Sequence, residues 1–421
     1  MNDNHPIASY RQTHYMKAVS LLRRTKLQTN ISIPLVHIVV IASTVVACIG
    51  GEAIMGYQAS GVAWFIPLVW SLLTLSIRFP RIKFPIVLWV PWTVVVLWYL
   101  SVSDFPALQR SVQVLCPIAI GMAASTYKMR EEEQRAFLNI IDYLAIALIV
   151  IVLFKTGLLL SGQLPEVTGL APEVMTGITI SAIFAAMYSF GRKRYLLWWC
   201  IMSAIPIVAV TRTAIVVTGL TLPLTFGPLK FRKRILFLLA VSIIGLALFY
   251  SPRVQGKMFY SGRGNISDVL SDDFKTTGRY YMWEYFWNEI SKEPWYGYGA
   301  GAGEIYTRQI TRGQLGYPHN DWLLTIYDYG VFGTSIYVLT LIVAVVDAYR
   351  RSRSTSGTTQ MLFMAGGAIY LSYAMMMYTD NIMVYASFFG NLHFLILGVA
   401  YGSLEKQERR KQAPGKRRIT W

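Results

Sequence analysis

Apolar runs of roughly twenty residues recur along most of the chain, separated by short polar stretches that are often basic. A helix needs about 20 residues to cross the ~30 Å hydrocarbon core of a bilayer. These runs set the fold class: an all-α integral membrane protein with about 12 transmembrane helices. Composition agrees. Of 421 residues, 54% are hydrophobic and 14% charged, whereas soluble domains carry about 25% charge. The first run begins after about thirty residues, too long a leader for a signal peptide, so it reads as a retained span.

The formal net charge is +17. In a soluble protein that would suggest nucleic acid. Here Lys and Arg sit largely in short loops beside apolar runs, where they encode orientation, and no nucleic-acid partner is expected. Basic clusters precede the first span and follow the second, fourth, sixth, eighth, tenth and twelfth. All fall on one side, so both termini are expected in the cytoplasm. The short loops opposite carry Glu52, Asp104, Glu166, Arg212 and Asp380. The expected organisation is a basic segment over 1–32, nine spans over 33–250 and a long non-cytoplasmic loop with short helices over 251–320. Three spans over 321–402 and a basic tail over 403–421 follow. Cys48, Cys116 and Cys200 all lie in apolar runs, with no spacing that suggests a metal site or disulfide framework.

The loop is the only long polar interval between apolar segments, and it is rich in aromatics. This topology brings it to the same face as Arg212 and Asp380, with Arg110 about a turn below. His319 is the loop's only histidine. A histidine near neutral pKa can take a proton from a hydroxyl, although a loop histidine can equally cap a helix or bond backbone. Asn320 and Asp321 suit the N-cap of the tenth span. Arg212 and Arg279 offer forked donors that match phosphate oxygens. The plainer alternatives are snorkelling for Arg212 and a surface pair with Glu284 or Asp273 for Arg279. Arg110 reads as snorkelling, and Asp380 as a partner for one of the arginines. Tyr280, Trp283 and Trp287 recur at helical spacing and read as one buried face. The glycines from Gly297 to Gly303 lack the Lys-Ser/Thr pair of a phosphate loop and read as a close-approach turn.

Several of these pieces together resemble the O-antigen ligase family, which includes polysaccharide repeat-unit polymerases. They are Thr211-Arg212-Thr213 opening a span, Gly278-Arg279 followed by Trp283, and Glu293-Pro294-Trp295 with Gly297 and Gly299. His319-Asn320 before the next span and Gly330 beyond it complete the set. The resemblance implies a multi-span, GT-C-like, metal-independent and inverting glycosyltransferase with no cofactor. It would act on the periplasmic face of a bacterial inner membrane. Its donor would be a glycan on a polyprenyl (undecaprenyl) diphosphate, and its acceptor a lipid A core sugar or a second lipid-linked glycan. By the same likeness Arg212 and Arg279 bind the diphosphate and His319 is the base. Arg110, Asp380 and Trp283 stand as supporting candidates. The loop has Asp272 and Asp273 but no Asp-x-Asp motif that would argue for a metal. A lipid-linked glycan transporter or flippase is the rival reading. Its paired repeats are absent, and the ionisable residues gather at one surface, which favours an enzyme. A non-catalytic scaffold in an export complex is a further alternative.

Overall fold

The computed structural model describes residues 32–50, 63–100, 105–162, 170–271, 273, 275 and 279–404. Both basic termini, and Glu52, Asp104, Glu166, Asp272, Thr277 and Gly278, lie outside the described residues. Within them the chain is helical, without strands. The first helices are α1 (Leu35–Ile49), α2 (Phe65–Arg78), α3 (Ile86–Trp98), α4 (Phe105–Ser125) and α5 (Glu131–Leu160). Next come α6 (Ala171–Ser189), α7 (Tyr195–Val208), α8 (Arg212–Leu224), α9 (Phe231–Phe249) and α10 (Pro252–Met258). The last are α11 (Arg279–Ile290), α12 (Ala302–Ile310), α13 (Asp321–Ser354), α14 (Gly357–Met376) and α15 (Asn391–Gly402), the last entered through a π-helical turn, Ala386–Gly390.

A helix stands at each expected apolar run. By length and composition, four among the described residues can cross a membrane alone: those at 107–125, 131–160, 171–189 and 321–354. The pair α9 and α10, bent by 69°, makes a fifth if counted as one span. Other apolar helices, such as α1, α3, α7 and α8, are shorter.

The core is built around α6, which packs on α7, α8 and α14 and buries nearly its whole surface. Helix α15 lies along α4, and α13 lies between α14 and α3. At the periphery α9 buries no residue at all, and Leu236, Leu239, Ile243 and Ile244 are exposed. An apolar helix that exposes this much of its surface is stable only in an apolar solvent, so α9 marks the chain as a membrane protein.

Helix α13 is interrupted. Gly330 has φ +64° and ψ −178°, outside any helical geometry. A break in a membrane helix leaves backbone groups that must find partners. Here the loop supplies them. The amides of Tyr298 and Gly299 donate to the carbonyls of Tyr327 and Asp328, both at 2.9 Å. On the other side of the break the amides of Val331 and Phe332 donate to the carbonyls of Pro294 (2.8 Å) and Trp295 (3.2 Å). A Cβ on Gly330 would collide with the Trp295 carbonyl, and one on Gly297 would come within 2.6 Å of the Tyr327 carbonyl. The glycine-rich turn is thus a close-approach device between loop and helix.

The short helices α11 and α12 form a small second core on the first turns of α13. Met282, Phe286 and Ile290 of α11 pack there with Leu323, Leu324 and Tyr327. This corrects the expected aromatic face. Trp287 is exposed, Trp283 only borders the cluster, and the Tyr280 side chain lies outside the described residues. The buried positions recur at four-residue intervals, so the apolar face won over the aromatic one.

Candidate functional site

Three irregular stretches converge, namely the start of α11, the loop end before α13 and the link between α14 and the π-helical turn, while the entry to α8 reaches the loop at Lys275. Each brings one candidate side chain.

Arg212 is the first residue of α8 and follows Val210, whose φ of +50° is strained for a β-branched side chain. Its Nη1 donates to the Lys275 carbonyl at 3.2 Å. The guanidinium therefore turns to the loop, where the sequence left snorkelling open. Arg279 opens α11, and its Nη1 donates to the Thr379 carbonyl at 2.8 Å. Burial holds its pKa below the usual arginine range, opposed by the neighbouring Asp380 carboxylate. The surface pair with Asp273 does not form. Asp273 instead takes the Ser261 amide at 2.8 Å and the Ser261 hydroxyl, and these bonds hold its carboxyl below the ordinary range.

His319 sits at φ +53°, in the left-handed region, directly before the helix. Such strain persists only where the surroundings fix it. On one side the Trp283 indole donates to the Pro318 carbonyl at 2.8 Å. On the other, Asn320 caps α13 by accepting the Leu323 amide at 3.0 Å. The imidazole Nδ1 lies 3.3 Å from the Asn381 amide nitrogen and 3.7 Å from Asp380 Oδ1. The ring is half-buried, 31% exposed, so a substrate can still reach it.

Arg110 is not a snorkelling arginine. It is 4% exposed, and its Nη2 lies 3.4 Å from Asp321 Oδ1, itself wholly buried. Asp321, read from the sequence as a cap, does something else. Its Oδ2 accepts the Met383 amide at 2.7 Å, while its own amide donates to the Met377 carbonyl at 2.7 Å. A second carboxylate one heptad on, Asp328, is buried and takes the amides of Gly301 (3.0 Å) and Gly303 (2.8 Å). Sequence reasoning passed over Asp328 and gave Asp321 only a capping role. The signal was present: two acids inside an apolar run are costly and call for partners.

The structure thus brings Arg279, His319, Asp380 and Trp283 together around residues 378–381. Arg110 joins through Asp321, and Arg212 approaches through Lys275, four residues before Arg279. Cationic forks beside a half-exposed imidazole can bind an oxyanion and take a proton from a hydroxyl.

These features define a membrane protein of many apolar helices with a polar site assembled at their ends and in one loop. Residues 197–338, about a third of the chain, match the family model described as O-antigen ligase. The match runs from α7 through the site to the middle of α13 and includes Arg212, Arg279, His319 and Gly330. No curated protein matches the chain.

Proposed function

We propose that the protein transfers a glycan from a polyprenyl diphosphate carrier to an acceptor hydroxyl, as an O-antigen ligase whose acceptor is a sugar of the lipid A core. The observation that carries this reading is the shared support of His319 and Arg279. The first faces Asp380 and Asn381, and the second bonds the Thr379 carbonyl. With an Nδ1–H turned to Asp380, and the Asn381 amide turned to present its oxygen rather than its NH2, the lone pair of His319 resides on Nε2. That nitrogen takes the acceptor proton as the acceptor oxygen forms its bond to the anomeric carbon. The bond from that carbon to the diphosphate oxygen breaks, and its electron pair leaves with the carrier. Attack opposite the leaving group inverts the anomeric centre. Arg279 and Arg212 stabilise the charge that develops on the diphosphate, so the reading uses no metal and no cofactor. Trp283 holds the backbone before His319 in place.

The wider frame of the proposal follows the charge pattern: about 12 spans in a GT-C-like arrangement, both termini cytoplasmic, and residues 251–320 at the periplasmic face of the inner membrane. Residues 33–250 and 321–402 would carry the spans, and 1–32 and 403–421 the cytoplasmic ends. Purified protein given a carrier-linked glycan and a lipid A core tests the chemistry. A glycan–core product supports ligation. Elongated carrier-linked glycan would instead make a second lipid-linked glycan the acceptor and the protein a polymerase. Neither product, with transport of the intact donor, would support the flippase reading. His319→Ala should lower transfer by about 10²–10⁴-fold. Full activity of that variant would overturn the assignment of the base.

A further inference from the structure

Residues 377–383 link α14 to the π-helical turn and carry much of what the site needs. Within them Thr379 gives its carbonyl to Arg279, and Asp380 and Asn381 face His319. Its first half turns back on α14, the Tyr378 amide bonding the Met375 carbonyl and the Thr379 and Asp380 amides the Met376 carbonyl, whereas the Met383 amide is held by a side chain from another helix. One residue grips both of its ends. The Asp321 amide donates to the Met377 carbonyl, and Asp321 Oδ2 accepts the Met383 amide, each at 2.7 Å. The other carboxylate oxygen faces Arg110 Nη2 at 3.4 Å. Asp321 also stands two residues after His319, so one side chain ties the base, the link and α4 together.

We propose that Asp321 and Arg110 are positioning residues for glycan transfer. Asp321 clamps the 377–383 link so that Asp380 and the Thr379 carbonyl meet His319 and Arg279. Arg110 supplies the positive charge that lets a carboxylate reside at this buried position. Neither side chain touches substrate in this arrangement. The inference rests on the proposed role of His319 and Arg279, and the measurements below separate the two.

A buried charge left without its partner is expected to harm folding, so single variants such as Arg110→Met are ambiguous. Two double variants remove the ambiguity. Arg110→Met with Asp321→Asn abolishes both charges but keeps a side-chain oxygen for the Met383 amide. Arg110→Met with Asp321→Leu abolishes the charges and the side-chain grip on the Met383 amide, keeps the backbone bond to the Met377 carbonyl, and fills the space with apolar groups. Both are expected to remain monodisperse in detergent and to unfold near the wild-type temperature. Turnover of carrier-linked donor should separate them. The Asn variant should stay within a few-fold of wild type, while the Leu variant should lose about 10²-fold in kcat with the KM for donor little changed. Wild-type kcat in the Leu variant would overturn the clamp while leaving the base assignment standing. A fully active His319→Ala protein in the same assay would overturn the parent reading, and the positioning role with it. Equal loss in both double variants would also overturn the clamp, because the oxygen that accepts the Met383 amide would then not be what matters.

Discussion

Among the described residues, two ion pairs with little exposure join apolar helices, and they differ instructively. Arg110 and Asp321 join α4 to α13 at 3.4 Å, and Lys155 and Glu173 join α5 to α6 at 2.6 Å. The tighter pair is the one away from the motif residues. Lys155 also donates to the Cys48 carbonyl at 2.7 Å, so this pair staples three regular helices or their ends. Among the described residues Glu173 Oε2 finds no hydrogen-bond donor. Asp321, by contrast, spends its second oxygen and its own amide on irregular backbone that carries Asp380. Distance and burial alone do not mark a functional charge. What the carboxylate holds in place does.

The comparison can be broken experimentally. Asp321→Ala has the largest expected effect. It leaves Arg110 unpaired in a buried setting at a cost of about 3–5 kcal/mol, and it frees the Met383 end of the link. Loss of both folded protein in the membrane and transfer per folded molecule should follow. Glu173→Leu strands Lys155 and should cost about 3 kcal/mol at most, since that lysine can reach water by snorkelling. Its thermal unfolding in detergent should shift downward while kcat per folded molecule stays at the wild-type level. A drop in kcat would show that the second pair also serves the site. Asp380→Asn should leave unfolding unchanged and lower kcat by about 10-fold to 10²-fold through loss of imidazole orientation. The smallest effect is expected at the exposed pair Lys292 and Glu289, which lies at the far end of α11. Lys292→Ala should change neither unfolding nor transfer. Chelation with EDTA should likewise leave the transfer rate unchanged, and loss restored by a divalent ion would refute the metal-free mechanism.

Much of the helix placement was legible because hydropathy is a local property. The runs expected near 137–160 and 174–190 correspond to α5 and α6 within a few residues at most boundaries. Environment was not legible. Helices α6 and α9 are both apolar and of equal length, 19 residues, yet one is almost wholly buried and the other buries no residue fully. Nothing in either segment says which neighbours it meets. For the site, Arg212 and Asp380 stood out as charges beside apolar runs, Arg279 for its forked donors and its place in the resemblance, and His319 as the loop's only histidine. Arg110 stood out as such a charge too but was assigned to lipid headgroups, since its partner Asp321 was read as a helix cap. That role in fact belongs to Asn320. Partnership across 211 positions of sequence has no local signature. The aromatic spacing in α11 misled because Trp and Tyr suit interfaces as well as cores, while Met282, Phe286 and Ile290 have fewer alternatives.

The break at Gly330 also bears on how the protein could be recombined. Residues 294–299 and 327–332 complete each other's backbone bonding, so loop and helix form one exchangeable unit whose natural boundary lies beyond residue 332. A chimera joined at 320 would pair a foreign loop with a helix that expects its original partner, and would bury unmet amides and carbonyls. One joined beyond 332 would carry both halves of the interlock. Relatives with different loops should therefore be swapped, if at all, with the first turns of this helix attached.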